Sequence, residues 1–137
     1  MQINVTRKEM EIAYRNHKSV WESGKDTPNN SHKMILFYAV ECGLKVYFMK
    51  HNSLEQAYET NQNNESPLKF GHKIRDLCEK LNIKLKISRI TKNVDKPIEP
   101  QDFHQAWRYG KQLDKDEENV CIEEFQRILE ELNKKLM

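Results

Sequence analysis

"FYAVECGLKVYF", residues 37–48, is apolar at nearly every position, yet it carries Glu41 and Lys45 four places apart. Its apolar side chains point to most sides of a helical turn. A helix of that kind sits in the middle of a protein, covered from several directions. The stretch therefore predicts a central helix over roughly His32–Lys50, with Ser31 as its cap. Gly43 costs a helix interior about 1 kcal/mol relative to Ala, so its place here points to close approach by a neighbouring helix. Glu41 and Lys45 have the spacing of an i, i+4 pair, worth about 0.3 kcal/mol on a surface. Inside a core, the carboxylate must find donors or take up a proton.

Outward from this helix, the chain reads as more helices. Thr6-Arg7-Lys8-Glu9 is a capping box. It opens a helix to about Trp21 with Met10, Ala13, Tyr14, His17, Val20 and Trp21 on one face. Residues 23–31, "SGKDTPNNS", form a loop by turn chemistry. Residues 51–67 are a polar connection with one helical turn expected near Leu54–Tyr58. Ser66-Pro67 then supplies a cap and a proline at the first helical position. The third helix is expected to run on to Leu81, with Leu68, Ile74, Leu77, Cys78 and Leu81 inward.

"IKLKISRI" (83–90) alternates Ile83, Leu85 and Ile87 with Lys84, Lys86 and Ser88, which reads as an extended segment or edge strand. It either lies flat on the bundle or pairs with another chain. A short helix over Gln101–Tyr109 follows, then a long one from Asp114 to Leu136. The long helix carries an apolar stripe of Cys121, Phe125, Ile128, Leu129, Leu132 and Leu136. Acidic residues crowd its first turn and Lys134 and Lys135 close it, as the macrodipole favours.

Bulk composition agrees with this reading. A chain of 137 residues fits one domain, 1–137, with one core. Four Gly and four Pro are too few for the turns of a β-sandwich, so the fold class is all-α. A formal charge of +2 does not by itself imply a nucleic-acid partner. No apolar run follows a basic start, so no secretory signal is expected. The longest apolar segment, Met34–Met49, is interrupted by charge and too short for a bilayer, so no membrane partner is expected. Cys42, Cys78 and Cys121 are odd in number and far apart, and they read as reduced, mostly buried thiols of a cytoplasmic protein. The five histidines form no metal-ligand spacing, and no phosphate loop or nucleophile elbow is present, so neither a metal nor a cofactor is expected.

Three pieces in order carry a family resemblance. "FYAVECGLKVYF" resembles the helix of HEPN domains with an A-x-E-x-x-L-K core pattern. "FGHKIRDLCEKL" (70–81) is similar to that family's H-D-L-x-x-L helix, and "AWRYG" (106–110) to its R-Y element before a closing helix. The resemblance spans nearly the whole chain and implies an up-and-down bundle of four or five helices, with one extended segment near 83–90. HEPN ribonucleases carry an Arg followed after four to six residues by His, and none of Arg7, Arg15, Arg75, Arg89, Arg108 or Arg127 does so here. Glu41 is therefore expected in a structural polar core with His72, Arg108 and Tyr109.

On this reading the chain is a non-catalytic binding or assembly component of a bacterial toxin–antitoxin or anti-phage defence system. Its partner would be a separately encoded nuclease or nucleotidyltransferase, and the chain would be a homodimer. A basic stripe of Lys73, Lys84, Lys86, Arg89 and Lys92 would touch that partner, RNA or DNA. The acidic helix at 114–135 would receive a basic partner or dock on the stripe between subunits. Two alternatives are a divergent metal-independent ribonuclease using His72 with Arg75 or His104 with Arg108, and a nucleotide or small-ligand sensor with a pocket beside Arg108.

Overall fold

Thr6 opens the first helix as its capping box requires: its side chain accepts from the Glu9 amide, and the Glu9 carboxylate accepts from the Thr6 amide. In this computed structural model, which describes residues 3–84 and 86–137, that helix is α1 (Arg7–Gly24). It buries Met10, Tyr14 and Trp21 and leaves Val20 largely exposed. The central helix, α2 (Asn30–His51), begins earlier than expected because Asn29 is the cap and accepts from the His32 amide. The third helix is broken. α3 (Pro67–Phe70) starts on the Ser66 cap with Pro67 in its first turn, and Gly71 stops it at a φ of 55°. α4 (Ile74–Lys80) resumes after the turn. A 3-10 turn at Pro100–Asp102 leads into α5 (Phe103–Arg108), and α6 (Lys115–Lys135) starts on an Asp114 cap.

The protein is all-α, and α2 is its hub. It touches α1, α3, α4, α5 and α6, and Leu36, Phe37, Ala39, Val40, Leu44, Val46 and Met49 are wholly buried along it. Each large side chain removed from water in this way contributes about 1.5–3 kcal/mol. Gly43 faces both neighbours at once: a Cβ there would lie 2.8 Å from the Tyr14 ring of α1 and 2.9 Å from Leu132 of α6. The missing side chain is what lets the two helices close on α2.

The connections depart from expectation. No helical turn forms near Leu54–Tyr58. Instead the segment bridges the N-terminal strand of chain through Thr6 and Gln56, with Arg7 N–H donating to Glu55 and Ala57 N–H to Val5. Ile83 and Ile87 are buried while Lys84 and Lys86 are exposed, as alternation requires, but Ile90 is buried out of phase with them; Leu85 lies outside the described residues. Among the described residues of 83–99 no strand ladder forms, and a single bridge joins Ile90 to Ile98. The segment lies flat on the bundle. No helix is long and apolar enough to cross a membrane among the described residues.

Candidate functional site

Breaking the third helix at Gly71 places His72 in a turn, against the middle of α2. There its Nδ1 lies 2.5 Å from Oε1 of Glu41. Glu41 is only 8% exposed, and no ion pair joins it to Lys45 among the described residues. α5 brings His104 to the same place. Its ring centroid is 4.3 Å from that of His72 and 4.9 Å from that of Phe37. His104 is 4% exposed, and its Nδ1 has no hydrogen-bond partner. Arg108 does not reach Glu41; it donates to the Tyr38 hydroxyl at 3.0 Å. Tyr109 is 76% exposed and takes no part in a core. The cluster that forms is thus Glu41, His72 and His104, with Tyr38 and Arg108 at its edge and His17 of α1 beside Tyr38.

The two His/Arg pairings imagined from spacing do not form. Arg75 points away from His72, to Glu99 at 3.2 Å and to the Ile87 carbonyl at 3.1 Å. Arg108 is committed to Tyr38. A shared turn of helix makes two side chains neighbours, but each guanidinium found a better acceptor elsewhere.

The basic stripe and the acidic helix also meet differently. Lys73, Lys84, Lys86, Arg89 and Lys92 are all exposed, but Glu99 sits 3.5 Å from Arg89 as well as against Arg75. Part of the acidic face of α6 is spent within the chain, while Asp116, Glu123 and Glu130 stay exposed. Glu117 accepts from the Thr91 amide, the Thr91 hydroxyl and the Lys92 amide. The Lys92 amide foremost, with Thr91 behind it, holds the Glu117 carboxyl below the usual range. Glu124, itself buried, accepts from the Ser88 amide at 2.7 Å. Glu118 accepts from Lys33 and from Trp107 Nε1, both at 2.9 Å, tying α2 and α5 to α6. Reading by charge alone missed these roles. The signal was spacing: Glu117 and Glu124 fall in the same 3–4 series as Cys121 and Ile128 and so point inward.

Cavities of about 470 and 180 Å³ lie along the groove between α1 and α6. The larger is lined by Tyr14, Arg15, Lys18 and Leu136, the smaller by Trp21, Lys25, Leu129 and Glu130. The hydrogen bond from Lys18 Nζ to Asn133 Oδ1, 2.7 Å long, stands where they meet.

Residues 69–135 match the family of the EFHB C-terminal EF-hand domain. No curated protein and no solved structure matches the chain. The match covers just under half of the residues, and it overturns the HEPN resemblance. With that resemblance go the toxin–antitoxin and anti-phage defence role and the HEPN ribonuclease alternative.

An EF-hand loop implies calcium, held by oxygens at places 1, 3, 5, 7, 9 and 12 of a twelve-residue loop with Gly at place 6. The matched region fits this poorly. Its two glycines, Gly71 and Gly110, would set Ser66 or Gln105 at place 1. The stretch with the best spacing is Thr91–Asp102, where Ile98 falls at place 8 and Phe103 follows place 12. It has Thr91 at place 1, Lys96 at place 6, and a Glu99 already engaged by two arginines. The acidic run from Asp114 to Glu118 winds into the first turn of α6 rather than a loop. Among the described residues no group of three or more His, Cys, Asp or Glu is placed to hold a metal ion.

Proposed function

We propose that this chain is a calcium-independent helical docking module of EF-hand type, whose loop is closed by its own carboxylates. The observation that carries the reading is Glu117. Three donors of Thr91 and Lys92, at the entrance of the Thr91–Asp102 loop, are satisfied by this one side chain of α6. A cation is not needed to order a loop whose backbone is already held. The family match to residues 69–135 supports the EF-hand kinship, and the donor set at Thr91–Asp102 supports loss of calcium dependence.

The partner is a protein, and the docking surface is the groove between α1 and α6. Its occupant is an amphipathic helix. From Glu11 to Lys25 the α1 wall is about 21 Å long, room for some four turns. Arg15 and Lys25 are paired on their own helix with Glu11 and Glu22, whereas among the described residues Lys18 donates to the Asn133 side-chain oxygen and meets no carboxylate. A carboxylate on the incoming helix would take Lys18, and its apolar stripe would rest on Leu136 and Met137, with Tyr14 and Leu129 already buried beneath the groove.

Two measurements test the reading. Calorimetric titration with calcium is expected to give no heat, and the melting temperature in millimolar calcium should match that in EGTA within about 1 °C; micromolar binding would overturn calcium independence. Helical peptides selected from a displayed library should share an acidic residue beside an apolar stripe and lose about tenfold in affinity on Lys18→Glu. Peptides indifferent to both Lys18→Glu and Leu136→Glu would remove the groove as the docking surface.

A further inference from the structure

Every element packed around Glu41 brings a titratable or aromatic group. α1 supplies His17, α2 supplies Tyr38 and Glu41 with Lys45 one turn on, the turn before α4 supplies His72, and α5 supplies His104 and Arg108. α6 adds Phe125, 6.1 Å from Phe37, while its nearby Glu118 is tied to Lys33 and Trp107. The site holds one carboxylate, and His72 has taken it. His104 lies against both the Phe37 ring and the His72 ring, which also face each other at 6.1 Å, with no partner at Nδ1. A neutral imidazole is at ease against such rings. A second proton there would create a buried cation beside His72 and within the field of Arg108, favoured only by the Glu41 charge and the Gln101 backbone.

We propose that Glu41, His72 and His104 form a proton-operated latch: neutral His104 keeps α5 and the turn at Gly71–Lys73 seated on α2, and its protonation loosens both together. The two attachments share the latch because the rings belong to different elements and touch each other. Burial first, then His72 and Arg108, push the His104 pKa below its ordinary 6.5, against the opposing pull of Glu41 and Gln101. The sign follows. Once pH falls below 6.5 the unfolded chain takes up a proton that the folded one resists. Stability is therefore full above 6.5 and declines as pH drops toward the lower folded value. His17 is also pushed down, by its own burial, but it sits on α1 outside the stack.

Histidine ring resonances and segment-resolved amide exchange, followed by NMR from about pH 7.5 to 5 with intrinsic exchange corrected, test the latch. His104 is expected to titrate below 6.5. In the same step, amides of residues 70–74 and 103–109 should lose about tenfold protection relative to those of α1. His104→Gln should abolish that step and His17→Gln should preserve it. Titration of His104 at or above 6.5, loss of protection spread evenly through α1, or a step that survives His104→Gln would each overturn the proposal. The first two outcomes are read on the unmodified protein, so the test stands even if His104→Gln fails to fold.

Discussion

The α1–α2 pair and the segment 83–99 are held by opposite means. The helix pair is fastened by shape: Tyr14 and Trp21 lie on an apolar α2, and Gly43 removes the one side chain that would keep the helices apart. Segment 83–99 has little regular structure of its own. Beside the burial of Ile83, Ile87 and Ile90, it is fastened by directed polar bonds that Glu117 and Glu124 accept from the amides of Ser88, Thr91 and Lys92. Apolar packing responds to lost volume and ignores pH. Carboxylate-to-amide bonds respond to a single missing acceptor and weaken in acid.

The largest test of that contrast is a cavity in the hub. Leu44→Ala should cost about 2–5 kcal/mol, by the same amount at pH 7.5 and pH 6, in urea unfolding. An equal loss confined to segment 83–99 would break the comparison. Next, Glu124→Ala strands the Ser88 amide in a buried place and should cost about 1–3 kcal/mol. Amide exchange of residues 86–92 should rise while that of α1 and α2 stays within error. Gly43→Ala sharpens the other side. Crowding of Tyr14 and Leu132 is worth about 1–3 kcal/mol against about 1 kcal/mol of helix propensity gained, so a small net destabilisation is expected in thermal unfolding.

The smallest expected effect is silence from the thiols. Burial pushes Cys78 and Cys121 up to about 12 and Cys42 to about 11. Thiolate is the reactive form, so a thiol reagent at pH 8 should modify none of the three until denaturant is added. Rapid labelling of Cys42 in the native protein would show the α2 hub to be looser than its packing implies.

Much of the helical scaffold was legible in the chain. The capping box at Thr6, the Ser66-Pro67 start and the Asp114 start are local signals, satisfied by residues within one turn. The all-round apolar character of 37–48 fixed α2 as the hub. Segment 83–99 was legible only as alternation, because its acceptors lie more than twenty residues away on α6. The polar cluster was half legible. Glu41 needed a donor, and His72 was among those named, but Arg108 went to Tyr38 because that hydroxyl was nearer than the buried carboxylate. Family likeness misled, since apolar helices with similar punctuation occur in unrelated bundles.

By itself the sequence determined where helices begin, which one is buried, and that a carboxylate in its middle had to be answered. Those follow from periodicity and capping, which act over one or two turns. Only the tertiary structure decided that the answer is a histidine freed by a helix break at Gly71, and that a second histidine packs against it. It also decided that Glu117 and Glu124 of α6 accept from backbone amides of the segment before α5. Such choices depend on which groups arrive together in three dimensions, and neighbours along a chain carry no record of that.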